Sequence, residues 1–95
     1  MSSEALFKAS TAGDLSALDA LANAAGSSLP ALLAATDGDG KSALHLAAFE
    51  GHAPAVSWLL SRGADVGARN KKGLTSFHYA IYRNHVGVAD ALRAA

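Results

Sequence analysis

The stretch Gly40-Lys41-Ser42-Ala43-Leu44-His45-Leu46-Ala47-Ala48 returns as Gly73-Leu74-Thr75-Ser76-Phe77-His78-Tyr79-Ala80-Ile81, and this recurrence decides the architecture. The offset is 33 for every pair: Gly40/Gly73, His45/His78, His52/His85 and Leu59/Leu92. A weaker copy, Ala5-Leu6-Phe7-Lys8-Ala9-Ser10-Thr11-Ala12-Gly13-Asp14, matches Ala43 to His52 at an offset of 38, so the first unit holds about five additional residues. A fixed period of this length marks a stack of like units, and three units are about the fewest such a stack needs.

Local signals divide each unit into two helices. Ser42 precedes an apolar-periodic run and predicts an N-cap for a helix over 43–50. Gly51 ends that helix, and Pro54 falls where a first-turn proline is tolerated. Val56, Leu59 and Leu60 then recur at helical spacing with Trp58 beside them, and Gly63 closes the second helix. Two short antiparallel helices and an extended turn cannot bury their apolar face alone, whereas stacked neighbours can. Between the first two units lies Gly26-Ser27-Ser28-Leu29-Pro30-Ala31-Leu32-Leu33-Ala34-Ala35-Thr36. There Gly26 breaks the preceding helix, Ser28 is the expected cap of a short extra helix, Pro30 sits near its first turn, and its leucines are expected to pack on the first unit.

The 33-residue period, the pattern Gly-x-Ser/Thr-x-Leu/Phe-His-x-Ala and the string Leu59-Leu60-Ser61-Arg62-Gly63-Ala64-Asp65-Val66 resemble ankyrin repeats over nearly the whole chain. The resemblance implies an all-α solenoid of stacked helix-turn-helix units with extended turns between them. It implies one domain, 1–95, made of an N-terminal capping repeat with an insertion (1–36), a central repeat (37–69) and a C-terminal capping repeat (70–95). On the same resemblance Gly40, Ser42, His45, Gly51, Gly63, Asp65, Gly73, Thr75 and His78 occupy structural motif positions. His45 and His78 would hydrogen-bond the turn and the neighbouring repeat, with Ser42 and Thr75 as partners. Two departures stand out. The motif's proline is Ala43 in one unit and Ser76 in the next, and its glycine between the helices is Asn84 in the last, a residue that tolerates the left-handed conformation.

Composition agrees with close-packed helices. The 95 residues include 23 alanines against six aromatics, and alanine is the best helix former but a poor core filler. No apolar run reaches the roughly 18 residues that a membrane span needs, so no membrane association is expected. Met1-Ser2-Ser3-Glu4 does not resemble a signal peptide. Without cysteine there is neither a disulfide framework nor a thiolate metal site, and the chain reads as intracellular, cytoplasmic or nuclear. A net charge of zero argues against a dedicated nucleic-acid binder. The charge is nevertheless bipolar. Residues 1–60 carry Glu4, Asp14, Asp19, Asp37, Asp39 and Glu50 against Lys8 and Lys41. Residues 61–95 carry Arg62, Arg69, Lys71, Lys72, Arg83 and Arg93 against Asp65 and Asp90.

Several apparent chemical motifs dissolve on inspection. Ala35 to Ser42 fits a relaxed phosphate-loop pattern, but the run into it is Leu/Ala-rich rather than a strand, and Asp37 and Asp39 would repel phosphates. Asp37-Gly38-Asp39-Gly40 resembles the opening of a calcium loop, yet Lys41, Ser42 and Ala48 stand where further ligands belong. His45/His52 and His78/His85 are each seven apart across a helix–helix turn, with no cysteine or carboxylate cluster beside them. Ser57, Ser61 and Ser76 lack a nucleophile-elbow context, and Asp65 reads as a turn residue bonding backbone amides. The sequence predicts no catalytic, cofactor-binding or metal-ligating residue, and no enzyme.

Function is then expected on the concave surface formed by turn tips and first helices. Mapped onto the motif, the positions that the fold leaves free are Gly38, Asp39, Lys41, Phe49 and Glu50 in the middle unit. In the last unit they are Lys71, Lys72, Leu74, Tyr82 and Arg83, with Arg69 at the junction; Thr11 and Ala12 are their counterparts in the first. Aromatic and arginine residues dominate binding hot spots. Phe49, Tyr82 and Arg83 are therefore expected to anchor a partner protein or peptide, with Arg69, Lys71 and Lys72 steering its acidic segment. The chain would be an adaptor, scaffold or inhibitor. The alternative is a self-associating module, between monomer and weak homo-oligomer, joined through the repeat ends at Val86, Val88, Ala91, Leu92, Ala94 and Ala95.

Overall fold

A computed structural model describes residues 3–95. The described residues form seven α-helices: α1 (Ser3–Ala12), α2 (Leu15–Ala25), α3 (Leu29–Ala34), α4 (Ala43–Glu50), α5 (Ala53–Ser61), α6 (Ser76–Tyr82) and α7 (Val86–Ala94). A single 3-10 turn, Gly26–Ser28, links α2 to α3. Helices pair as α1/α2, α4/α5 and α6/α7, and the pairs stack so that α1, α4 and α6 form one row and α2, α5 and α7 a second.

The sequence signals act where they were expected. Ser42 is extended (φ −87°, ψ 173°), and its N–H donates to His45 Nδ1 at 3.1 Å, completing a capping box at the start of α4. Thr75 and His78 repeat the device at the start of α6, with a 3.0 Å bond from Thr75 N–H. Gly51 ends α4 in the left-handed region (φ 77°), and Pro54 lies in the first turn of α5. After Ser61 the chain reverses through Gly63 (φ 95°), and Ala64 N–H donates to Leu59 O at 3.0 Å, satisfying one of the carbonyls that a helix end leaves open.

The core runs between the rows. Leu6, Leu18, Leu44, Val56 and Leu59 are fully buried, and Ala9, Ala47, Ala48, Ala55 and Ala80 fill the places where helices approach closely. A fully buried leucine stabilises by about 2 kcal/mol, while an alanine buries a single methyl. The few leucines therefore supply the hydrophobic stabilisation, and the alanines set the spacing.

The extra helix exists as α3, with Pro30 in its first turn and Leu32 and Leu33 buried against the core. Its start differs from the expectation. Ser28 occupies the N-cap position, but its side chain makes no capping bond and its backbone is helical (φ −84°, ψ −4°), because the 3-10 turn feeds directly into α3. The repeat end also differs. Val88 and Leu92 are buried against the core, so they do not contribute to an exposed end; Val86, Ala94 and Ala95 remain exposed. Of the opening tetrapeptide, Met1 and Ser2 lie outside the described residues.

Successive pairs are stitched by histidines. His52 Nε2 donates to Thr11 O at 2.8 Å and His85 Nε2 to Phe49 O at 3.0 Å, each reaching back one repeat. Both rings lie on a glycine of that repeat. A Cβ on Gly13 would stand 2.7 Å from the His52 ring, and one on Gly51 2.6 Å from the His85 ring. At the corresponding place in the first pair, Asp14 caps α2 through Ala17 N–H at 3.1 Å.

Candidate functional site

Each turn between repeats closes on one side-chain oxygen. Asp37 Oδ1 accepts from the N–H groups of Asp39 and Lys41, both at 2.9 Å. Asn70, 33 positions on, accepts from Lys72 N–H at 2.9 Å and Leu74 N–H at 3.0 Å. These side chains replace the ladder partners that a tight turn lacks. Lys71 N–H donates to Asp39 O at 3.0 Å, so the second tip hangs from the first. His45 joins the same construction from below: its Nε2 donates to Leu74 O at 2.9 Å.

Because His45 Nδ1 accepts from Ser42 N–H, the ring proton resides on Nε2 and the imidazole is neutral. Its pKa is lowered by burial, against the opposing pull of the Leu74 and Ala68 carbonyls and of Asp37.

Between the two tips lies a hollow of about 220 Å³, lined by Asp39, Lys41, Asn70, Lys71, Lys72 and Tyr79. Lys41 Nζ is 3.9 Å from Asp39 Oδ2 and 5.9 Å from the Tyr79 ring centre. Beyond the hollow, Tyr79 packs edge-on to His45 at 5.9 Å and to Phe49 at 5.6 Å. The Arg83 guanidinium lies 4.4 Å over the Phe49 ring. Tyr82, next to it in sequence, is 81% exposed. The turn tips and the α4/α6 row thus carry one continuous strip, from lysines through Tyr79 and Phe49 to Arg83.

The expected residues do not all share this place. Asp39, Lys41, Lys71 and Lys72 meet in the hollow, and Phe49 and Arg83 meet on the helices. Phe49 is half-buried in side-chain packing, whereas Tyr82 is free of it. Arg69 is elsewhere: its guanidinium donates to Gly73 O at 2.9 Å, and it lines a separate depression of about 130 Å³ with Leu33, Thr36, Ser42 and Asp65. Glu50 is exposed at the end of α4. Leu74 is half-buried, and both its backbone groups serve the turn. Of the first-unit counterparts, both exposed, Thr11 bonds Phe7 O through its hydroxyl at 2.8 Å. Asp65 accepts from Gly67 N–H at 2.9 Å, as a turn aspartate should.

Two central residues were not singled out from the sequence, Tyr79 and Asn70. The signal was present in the period. Asn70 stands where Asp37 stands one repeat earlier, and Tyr79 replaces the aliphatic Leu46.

No helix among the described residues is long and apolar enough to cross a membrane. Compared with known families, residues 6–95 match the model described as ankyrin repeats (3 copies).

Proposed function

The chain belongs to the ankyrin-repeat family, whose members are in general protein-interaction modules, and from that we propose that it binds a partner protein or peptide on the concave strip as an adaptor, scaffold or inhibitor without catalytic activity. The observation that carries the reading is the exposed Tyr82 beside an Arg83 already stacked on Phe49. A large aromatic left in water next to an oriented guanidinium is the composition of a binding hot spot. Phe49, Tyr82 and Arg83 anchor the partner in this proposal, and Lys71 and Lys72 attract its acidic segment, with Arg69 adding charge from a separate depression. The intracellular setting expected from the sequence goes with this reading.

Tyr82→Ala with Arg83→Glu removes exposed anchors without opening the core. A pull-down from the source cell's lysate should capture proteins with the unaltered chain and lose them with this variant, while both keep the same helical spectrum. Capture of the same set by both would place the binding surface elsewhere.

A second reading, self-association, draws on the α6/α7 end, where Ile81 is 53% and Val86 62% exposed. Their counterparts one repeat earlier, Ala48 and Ala53, are fully and partly buried. Light scattering across a concentration series decides it, since a monomer throughout excludes this role.

A further inference from the structure

We infer that the hollow between the two turn tips is a carboxylate seat, occupied by a glutamate or aspartate side chain of an acidic partner segment; this rests on the proposed interaction role and specifies what that surface reads.

The argument is an inventory of donors and acceptors. Three lysines line the hollow, Lys41, Lys71 and Lys72, against one acidic residue, Asp39. That carboxylate is partly spent on Lys41 at 3.9 Å, and no acidic group among the described residues pairs with Lys71 or Lys72. Asn70 offers no acceptor either, because its Oδ1 takes the N–H groups of Lys72 and Leu74. Its Nδ2 donates to the Tyr79 hydroxyl. That leaves the Tyr79 O–H proton itself without an acceptor among the described residues. The lining is thus rich in donors and poor in acceptors, and its floor is held rigid by the Asn70 turn and the bond from Lys71 N–H to Asp39 O. An oxyanion supplies what is missing, and charge-assisted bonds to it are the strong kind.

The volume argues for one side-chain carboxylate. About 220 Å³ falls below the range of pockets that enclose drug-sized ligands. The hollow is also continuous with the Tyr79–Phe49–Arg83 strip, so an acidic residue seated here places neighbouring residues of its chain on that strip. Lysine is suited to the task as a mobile point charge that needs no planar match.

The test titrates the whole protein with an acetylated, amidated hexaglutamate peptide and follows amide and tyrosine ring resonances by NMR. Saturable shifts are expected at Asn70 to Gly73 and at Tyr79, and none with a hexaglutamine peptide. Lys71→Gln with Lys72→Gln should weaken binding about tenfold. The charge-matched control Lys8→Gln with Arg93→Gln removes the same net charge away from the hollow and should change it less than about twofold. Equal loss in both variants would mean diffuse attraction and overturn the seat, as would the absence of any saturable shift. Inorganic phosphate displacing the peptide at lower concentration from the same residues would overturn the carboxylate assignment. None of these failures touches the loss of captured protein expected of the Tyr82/Arg83 variant, so the seat and the interaction role fall separately.

Discussion

Single positions in this stack are decided by what lies on top of them. Gly13, Gly51 and Asn84 share one place in the repeat and all have positive φ, at 68°, 77° and 59°. A left-handed backbone alone permits asparagine. Gly13 and Gly51 additionally carry the His52 and His85 rings, which leave no room for a Cβ, while Asn84 is exposed. Gly51→Ala should therefore cost about 3 kcal/mol, combining left-handed strain with overpacking. Asn84→Ala should cost about 1 kcal/mol, from the strain alone. Urea denaturation of the two variants checks the difference, and equal losses would show that the ring contact is not what demands glycine. Read from the sequence, Asn84 is a departure that the backbone tolerates. The reason it is tolerated there, and would not be at Gly51, lies in a contact 34 residues away.

At the scale of the element, α4 begins through a histidine that also holds the following turn. His45 Nδ1 accepts from Ser42 N–H, and Nε2 donates to Leu74 O. Burial opposes the charged form of the ring, so the folded-state pKa lies below the ordinary value of about 6.5. The sign follows from linkage. With the folded value depressed, the unfolded chain takes up the proton first. The stabilisation is complete above about pH 6.5 and is lost as pH falls through the folded value. Denaturation midpoints measured from about pH 7 down to about pH 5 should fall more steeply for the unaltered chain than for His45→Gln. Parallel curves would remove His45 as the source. The helix over 43–50 was legible because its cap, apolar run and terminating glycine are adjacent in sequence. The start of α3 was not, since Ser28 has the composition of a cap while its backbone is already committed to a 3-10 turn.

At the scale of the molecule, the middle pair is the only one among the described residues with a neighbour on both sides: α4 touches α1 and α6, and α5 touches α2 and α7. Stability in such stacks is close to a sum over units and their interfaces. Amide hydrogen exchange should then be slowest in α4 and α5, around Leu44 to Ala48 and Val56 to Leu59, and faster in α3 and the last turn of α7. Equal protection throughout would instead mean that the stack opens as one unit. Of the bipolar charge, the basic half places Lys71 and Lys72 at the second tip, where they line one hollow with Lys41 of the first.

The sequence by itself determined the period and the two-helix unit, because the caps, apolar runs and terminating glycines that mark each unit lie within one repeat. Tertiary structure alone decided which of the concave positions lie together. Proximity in sequence groups Arg69 with Lys71 and Lys72, yet its guanidinium is held by Gly73 O and it lines a separate depression, while Lys41, 30 residues before Lys71, shares their hollow. Val88 and Leu92, read as an exposed end, turn inward for the same reason. The direction of a side chain in a stack is set by rotation against the next unit, and a linear pattern does not contain that rotation.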